Sequence, residues 1–254
     1  MIFARVELEG QPVYARQEGA ELVVLTAAPW APDVREDGRR VKLVEAKWLP
    51  VSDASKVVAI GQNYRKHAEE MDKTVPVEPL LFTKPMTALN AHEAPILLPP
   101  ASQEVHHEAE LALVIGRRLT RATEAEARAA IFALTCFNDV TARDIQRREV
   151  QHTRAKGYDT FACCGPVMVT GLSPDDLRVQ CRVNGVTRQD GRTSDMVHKP
   201  AALAAFISHV MTLLPGDLIA TGTPAGVGPL RAGDVVEVEL EGIGVLRNPV
   251  RSLA

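Results

Sequence analysis

Hydrophobic residues along this chain occur in short runs, and most of these runs alternate with polar residues at the spacing of β-strands. In the first part of the chain the pattern predicts strands at Ile2 to Glu7, Val13 to Arg16, Glu21 to Leu25 and Val41 to Leu43. The segment Pro29 to Arg40 contains two prolines, a glycine and several charged residues, which predicts a loop. We therefore expect a small β module at residues 1–52, followed by a larger domain at residues 53–254.

The larger domain is predicted to contain three helices, each with a recognisable start. They run from Tyr64 to Met71 with Asn63 as N-cap, from Thr123 to Ala133 with a Thr123–Glu126 capping box, and from Pro200 to Leu214. Asn184-Gly185, between two strand-like runs, indicates a hairpin. Strands outnumber helices and do not alternate with them regularly, so we expect an α+β, β-rich fold with a mostly antiparallel or mixed sheet.

Two carboxylates interrupt the apolar run Val105 to Gly116. If this run is a strand, Glu108 and Glu110 point to the same face and lie roughly 6–7 Å apart. Like charges this close repel each other on an apolar strand, and a bound divalent cation would remove the repulsion. A solvated strand face is the simpler explanation of such a pair, so the pair alone does not predict a metal site.

A third carboxylate makes the metal site the better interpretation. Asp139 follows another apolar run at the point where the pattern changes from strand-like to helix-like. Three carboxylates without cysteines or spaced histidines form an all-oxygen set, which suits Mg²⁺, Mn²⁺ or Ca²⁺ and argues against Zn²⁺ or Cu²⁺. His106 shares the strand parity of the two glutamates, so it could orient a carboxylate or a metal-bound water. His107 points to the other face and is predicted to be structural.

The composition is that of an ordinary globular protein, with 46% hydrophobic residues, 24% charged residues and a net charge of −3. No group of basic residues with aromatics occurs, so neither nucleic acid nor membrane is predicted as a partner. The chain has no apolar stretch of membrane-spanning length and no signal-peptide pattern, which predicts a cytoplasmic protein with a small substrate. The four cysteines lack metal-binding spacing and are expected to be reduced and buried.

Further polar residues stand out from the scaffold. His67 and Glu70 lie three residues apart, where a carboxylate on the same helix face can orient an imidazole. Arg143 and Gln146 follow Asp139, and Lys156 lies beside a glycine. Each of these groups, taken alone, is as well explained by a solvated ion pair. Thr221 to Gly228 is a glycine-rich turn without the spacing of a phosphate or dinucleotide loop.

Taken together and in this order, these stretches resemble the fumarylacetoacetate hydrolase family over roughly residues 55 to 250. The resemblance implies that Glu108, Glu110 and Asp139 bind Mg²⁺ or Mn²⁺ and that Lys156 is an active-site lysine. It implies that Arg143, Gln146 and Thr223 contact a 2-oxo acid, and that His67 and Glu70 form a catalytic dyad on a lid helix. It also implies a mixed β-roll catalytic domain, a small N-terminal domain and a homodimer.

The activity expected from this resemblance is a metal-dependent hydrolysis of a C–C bond in acylpyruvate or fumarylacetoacetate-type 2,4-dioxo acids, with oxaloacetate decarboxylation as a further activity. The alternative is a 2-hydroxyhepta-2,4-diene-1,7-dioate isomerase or 5-oxopent-3-ene-1,2,5-tricarboxylate decarboxylase of aromatic catabolism. A third hypothesis, of another class, is a metal-binding protein without turnover. The sequence does not decide among the substrates or between Mg²⁺ and Mn²⁺.

Overall fold

The computed structural model describes residues 1–253, and these residues form mainly β-strands. In the first half of the chain the strands are β1 (Ile2–Leu8), β2 (Gln11–Glu18), β3 (Glu21–Leu25), β4 (Glu36–Lys42), β5 (Lys47–Trp48), β6 (Val57–Gly61), β7 (Leu80–Lys84), β8 (Leu89–Asn90), β9 (Ile96–Leu98), β10 (Val105–His107) and β11 (Ala109–Ile115). In the second half they are β12 (Ile131–Asp139), β13 (Thr141–Ala142), β14 (Ala162–Val169), β15 (Arg178–Val183), β16 (Val186–Arg192), β17 (Leu218–Ala220), β18 (Gly228–Pro229), β19 (Val235–Leu240) and β20 (Gly244–Ser252).

The helices are short and few beside the strands. They are α1 (Arg65–Glu70), α2 (Glu124–Ala130), α3 (Arg143–Arg148), α4 (Thr153–Lys156) and α5 (Pro200–Val210), with 3₁₀ turns at Leu43–Glu45, Met86–Ala88 and Thr193–Asp195. None of the helices in residues 1–253 is long and apolar enough to cross a membrane. The predicted α+β, β-rich fold class is confirmed.

Most strands join one 12-stranded sheet, whose main path is β4-β3-β2-β1-β14-β12-β11-β17-β6-β7. A five-stranded sheet, β16-β15-β19-β20-β9, and a three-stranded sheet, β13-β10-β18, complete the fold. Neighbouring strands are mostly antiparallel, and β17–β6, β14–β8 and β20–β9 are parallel pairs. The expected mixed, mainly antiparallel arrangement is therefore observed. The Asn184-Gly185 hairpin is also observed, with both residues at positive φ between β15 and β16.

The N-terminal strands continue the large sheet. β1 lies antiparallel to β14, with Ile2 opposite Val169 and Phe3 opposite Met168. The predicted loop from Pro29 to Arg40 is wrong at its end, because β4 already begins at Glu36 and pairs with β3. β4 is an exposed strand at the sheet edge and carries mainly charged side chains. It therefore lacks the alternation from which a strand is predicted.

The three predicted helices are present, but each is shorter than predicted. The Thr123–Glu126 capping box is formed, with Thr123 Oγ1 accepting from Glu126 N at 3.3 Å. This helix ends at Ala130 rather than Ala133, because Ile131 is the first residue of β12. The helix from Pro200 ends at Val210 rather than Leu214, because the chain becomes extended and Leu213 forms a bridge with Leu119.

Asn63 is not the N-cap of α1, which corrects the prediction. The helix starts at Arg65 after Tyr64, and no side chain caps it. The Asn63 amide donates instead to the carbonyl oxygens of His198 at 3.0 Å and Thr221 at 2.8 Å. Asn63 therefore connects the start of the helix to two loops that are distant in sequence.

The run Val105 to Gly116 is not one strand but two. It breaks at Glu108, so that β10 belongs to the three-stranded sheet and β11 to the large sheet. Every residue of β11 is buried, with Leu111 and Leu113 packing in one core and Ala112 and Val114 in another. A strand buried on both faces reads as a continuous apolar run, which explains the sequence pattern.

Candidate active site

Three buried carboxylates meet where β10, β11 and β12 come together. Glu108 lies between β10 and β11, Glu110 is near the start of β11, and Asp139 ends β12. The strand register pairs Ala109 with Asn138, and the backbone N–H of Asp139 donates to the Glu108 carbonyl at 2.9 Å. One oxygen atom of each carboxylate lies within 4.8 Å of the others, and the three residues are at most 4% exposed. The structure thus brings the three predicted metal ligands together.

Three buried cations contact two of these carboxylates. Lys156 Nζ donates to Glu108 Oε2 at 2.8 Å and to Asp139 Oδ2 at 2.6 Å. Arg143 Nη2 donates to the other oxygen of Glu108, and Lys84 Nζ donates to the other oxygen of Asp139. The formal charges of the three acids and the three cations therefore cancel.

Glu110 differs from the other two carboxylates, because no cation in residues 1–253 forms an ion pair with it. Its Oε2 accepts a hydrogen bond from the backbone N–H of Gly222 at 2.8 Å. Burial raises the pKa of Glu110, and the charges of Asp139 and Glu108 raise it further. Burial also raises the pKa of Glu108, but the charges of Lys156 and Arg143 outweigh this effect and hold that pKa well below its usual range.

A divalent cation fits this arrangement. The three carboxylates offer hard oxygen atoms at mutual distances that one ion can bridge, and such ligands suit Mg²⁺ or Mn²⁺. The ion would be the cationic partner that Glu110 does not have within the protein. The donor set and the uncompensated carboxylate therefore both agree with the predicted metal.

Lys84 is a member of the site that the sequence did not identify. It is the last residue of β7, is 1% exposed and also donates to the Val140 carbonyl at 3.3 Å. Burial lowers the pKa of Lys84, and nearby Lys156 lowers it further. The available signal was a lysine at the end of the strand-like run Leu80–Lys84, because a lysine in a buried strand needs an anionic partner.

The predicted pair on α1, which we call the lid helix, is formed. His67 Nδ1 lies 3.1 Å from Glu70 Oε2, and His67 is 6% exposed. Both oxygens of Glu70 also accept from the backbone N–H of Gly226, at 3.0 and 3.2 Å. Gly226 has φ +101°, and a Cβ atom there would meet the Arg188 carbonyl oxygen at 2.1 Å. Glu70 therefore orients the imidazole and also fastens the lid helix to the glycine-rich loop.

The three predicted substrate contacts lie at the same pocket. Arg143 Nη1 donates to the amide oxygen of Gln146, so the amide N–H groups of Gln146 take no part in this hydrogen bond. Thr223 Oγ1 donates to the Ala109 carbonyl at 2.7 Å and accepts from Gln189 Nε2 at 2.7 Å. The hydroxyl proton of Thr223 is therefore already used within the protein.

Gln189 is a second residue that the sequence missed. It is fully buried, and besides Thr223 it bonds the Pro224 carbonyl, the Ala109 N–H and His107. His107 is buried and lies 3.0 Å from Gln189 Oε1, in agreement with its predicted structural role. Gln189 lies in β16, whose residues are mainly polar or charged, so nothing in its own segment predicts that it is buried.

The expected contact of His106 with the three site carboxylates is not formed, and its role toward a metal-bound water stays a prediction. Its Nε2 lies 2.9 Å from Glu104 Oε1, and its Nδ1 accepts from Arg143 Nε at 3.4 Å. It contacts the arginine beside the carboxylates and none of the carboxylates themselves. The strand break at Glu108 changes the parity on which the expectation rested.

One pocket joins the carboxylate cluster, Lys156, the lid helix and the three predicted substrate contacts. Residues from the strands, the lid helix and the α3–α4 segment line it: Ile60, Gly61, Gln62, His67, Met71, Lys73, Leu80, Phe82, Glu108, Glu110, Arg143, Gln146, His152, Lys156 and Thr223. Glu70 and Asp139 stand just behind this lining, through His67 and Lys156. Buried charged residues line one half of the pocket, whereas the half under the lid includes the more exposed Met71 and Lys73.

Two family models match the chain. The one described as fumarylacetoacetate (FAA) hydrolase C-terminal matches residues 56–251, and the one described as Rv2993c-like, N-terminal matches residues 1–50. An uncharacterised protein of Archaeoglobus fulgidus is 51% identical over 84% of this chain and 85% of its own length.

Two named proteins are also similar over most of the chain. Oxaloacetate tautomerase FAHD2A, mitochondrial, of Bos taurus is 42% identical over 79% of this chain and 68% of its own length. The crystal structure of 2-hydroxyhepta-2,4-diene-1,7-dioate isomerase from Mycobacterium marinum is 42% identical, has a TM-score of 0.91, and covers 99% of this chain and 98% of that one.

Proposed function

The chain belongs to the fumarylacetoacetate hydrolase family, and from that premise we propose that it is a Mg²⁺- or Mn²⁺-dependent enzyme that transfers a proton on a 2-oxo acid. Oxaloacetate keto–enol tautomerisation is the reaction we propose first. The observation that supports it is the His67–Glu70 pair, whose buried imidazole lines the same pocket as the carboxylate cluster and Lys156.

The near end of the substrate would be bound at the acidic half of the pocket. A divalent cation held by Glu108, Glu110 and Asp139 would supply Lewis-acid polarisation of the 2-oxo group and its carboxylate. Lys156, buried between two of these acids, would offset negative charge that develops on the keto oxygen. The Gln146 amide would donate a hydrogen bond to the substrate carboxylate.

The proton transfer is assigned to His67. The Glu70 carboxylate would accept a hydrogen bond from the Nδ1–H of the neutral ring, which leaves Nε2 unprotonated as the base. A proton then leaves C3 for Nε2, the C–H electron pair forms the C2–C3 double bond, and the carbonyl electron pair moves to the keto oxygen. Return of the proton to that oxygen completes the enol. No water is consumed, and atoms and charge balance.

Hydrolysis of an acylpyruvate is the second candidate. The same His67–Glu70 pair could take a proton from water, which would then attack a distal carbonyl and cleave the C–C bond. Tautomerisation stands first because a tautomerase and an isomerase are among the similar proteins, and both names describe a proton shift without hydrolysis. The homodimer and the division near residue 52 remain predictions.

A substrate panel tests the proposal. The Mn²⁺-loaded protein is given oxaloacetate, acetylpyruvate, fumarylacetoacetate and 2-hydroxyhepta-2,4-diene-1,7-dioate, with enol absorbance and product formation followed separately. We expect accelerated loss of enol-oxaloacetate absorbance without release of pyruvate, and loss of this acceleration in His67→Ala. Cleavage of acetylpyruvate with no effect on oxaloacetate would establish the second candidate instead.

A further inference from the structure

The half of the pocket under the lid contains two groups that the proposed chemistry does not use, His152 and Lys73, which we call the distal rim. His152 lines the active-site pocket and also two surface grooves that share residues with it, and Lys73 lines the pocket and one of those grooves. They belong to different segments, since Lys73 follows the lid helix and His152 precedes α4. The two residues therefore stand where the pocket meets the grooves.

The His152 ring is fixed by packing but not by hydrogen bonds. It packs edge-on against Phe82, with ring centroids 5.3 Å apart and an interplanar angle of 77°. Its backbone carbonyl accepts from Lys156 N at 2.9 Å, so the position of the ring is tied to that of the buried lysine. Its Nδ1 is buried and has no hydrogen-bond partner among residues 1–253. Buried polar atoms without a partner are rare, and a bound ligand, water or ion can supply the missing bond.

Lys73 adds a positive charge at the same place. Its backbone N–H donates to the Ala68 carbonyl at 2.9 Å, which holds the residue against the end of the lid helix. Its ammonium forms no ion pair with any acid of residues 1–253. Burial lowers the pKa of His152, and the charges of Lys156 and Lys73 lower it further, so the ring is a neutral group in a positive potential.

Three acids line the adjoining groove, and none of them forms an ion pair with Lys73. Glu70 accepts from His67 and Gly226, and Glu149 forms an ion pair with Arg154. Asp72 is exposed to solvent at the groove. A ligand group that reaches the distal rim therefore meets an unpaired ammonium and an unpaired imidazole nitrogen.

The net charge of the carboxylate cluster and its three cations also favours a ligand with a second negative charge. The three carboxylates and the three cations cancel, so a bound divalent ion would leave two positive charges in a largely buried pocket. A monocarboxylate would neutralise one of them, whereas a dicarboxylate would neutralise both. Burial of uncompensated charge is costly, which favours the dianionic ligand.

We propose that His152 and Lys73 bind the second carboxylate of the substrate, so that the enzyme selects 2-oxo dicarboxylic acids over 2-oxo monocarboxylic acids. This proposal rests on the proposed function, because the first carboxylate and the 2-oxo group are taken to occupy the metal end. The Nδ1–H of His152 donates to the distal carboxylate, and Lys73 attracts it from solvent.

Two variants and one matched control test the distal rim. His152→Phe keeps a ring against Phe82 but removes both nitrogens, and Lys73→Gln removes the charge. Lys66→Gln is the control, because Lys66 is an exposed lysine of the lid helix that does not line the pocket. Each variant is assayed with oxaloacetate and with its 4-methyl ester, which has the same skeleton but no distal charge.

We expect His152→Phe to raise KM for oxaloacetate about tenfold and Lys73→Gln about threefold, the weaker effect reflecting the exposure of the lysine. In both variants, the KM for the ester and the kcat for either substrate are expected to change less than about twofold. His152→Asn, which retains a donor near the position of Nδ1, should recover part of the lost affinity. Lys66→Gln should behave as the unmodified protein.

A binding measurement separates this proposal from the proposed function. By calorimetry on the Mn²⁺-loaded protein, difluorooxaloacetate, which has no C3 proton, should bind about tenfold more weakly to His152→Phe, whereas oxalate, which has no distal group, should bind equally. Equal weakening of both ligands, or of neither, overturns the distal subsite while leaving proton transfer intact. If no 2-oxo acid binds or turns over in the unmodified protein, the proposed function itself is wrong and the subsite is rejected with it.

Discussion

The two walls of the pocket are held in different ways. The carboxylate wall stands on β11 and β12 in the middle of the large sheet, and its side chains are buried among three cations. The lid helix has six residues and no side-chain cap, and much of its surface is exposed. Helices this short are not stable alone, so contacts such as that between Glu70 and Gly226 must hold it in place.

This difference assigns a different physical task to each wall. The carboxylates that bind a metal repel one another without it. They therefore need a rigid scaffold that holds them together, and a buried pair of strands provides one. A substrate must enter and leave, and a lightly attached helix can open at little cost. The following changes test whether stability resides in the first wall and proton transfer in the second.

The largest effect is expected at Glu110. Glu110→Gln should reduce metal-dependent turnover by about a thousandfold or more, because a ligand of the cation is lost. The free energy of unfolding without metal should stay the same or rise, because Glu110 has no cationic partner to leave unpaired. Turnover, Mn²⁺ calorimetry and urea unfolding measure these effects.

Glu108→Gln is the matched comparison for Glu110→Gln. It should abolish turnover equally but also reduce the free energy of unfolding by about 3–5 kcal/mol, because Arg143 and Lys156 lose a buried partner. Equal stability of the two variants would contradict the different charge compensation of the two glutamates.

Lys84→Met should lower the free energy of unfolding by about 3 kcal/mol, because Asp139 loses a fully buried partner. Lys47→Met is the control, since Lys47 is 76% exposed in its pair with Glu7 and should contribute less than about 1 kcal/mol. Urea unfolding of both variants decides the point. A similar small loss in both would mean that the buried lysine does not stabilise the carboxylate wall.

On the lid, Glu70→Gln should lower kcat for oxaloacetate about a hundredfold, because the imidazole of His67 loses its orienting carboxylate. The exposed neighbour Glu69 provides the control, and Glu69→Gln should remain within about twofold. Stability should change by less than about 1 kcal/mol in both, because the lid contributes little to the core. A loss of stability as large as that of Lys84→Met would show that the lid is not the lightly held wall.

The smallest effect concerns pH. Because the pKa of Glu110 is raised in the metal-free protein, this carboxyl releases a proton on cation binding at any pH below that raised pKa. Below that raised pKa, Mn²⁺ should bind about tenfold more weakly for each unit by which pH falls. Calorimetry in two buffers of different ionisation enthalpy counts the released proton, and a count of zero would show that Glu110 is ionised before the metal binds.

The sequence predicted the site better than its surroundings. Residue type and order were enough to single out Glu108, Glu110 and Asp139 as one candidate site. A carboxylate within an apolar run is buried when the run folds and therefore needs a compensating partner. The sequence treated Glu108 and Glu110 alike, however, and only the fold shows that one is paired with cations and the other is not. Pairing depends on contacts between residues distant in sequence, which no local pattern records.

The errors have the same origin. Lys84 and Gln189 acquire their roles from partners 55 and 34 residues away, so neither stands out in its own segment. Asn63 had the right residue type for a helix cap, but its amide bonds two distant carbonyls instead. Ile131 was assigned to a helix because its spacing is helical, whereas tertiary pairing with β11 makes it a strand residue.

The pairing of β1 with β14 has a consequence for how the catalytic part can be isolated. β14 adjoins β12, which ends at Asp139, and β1 covers the N–H and C=O groups of its last residues. A fragment that begins near residue 56 would leave that row of backbone groups, and apolar residues such as Met168, open to solvent. An uncovered strand edge recruits other chains, so such a fragment would carry every residue of the pocket and still tend to aggregate.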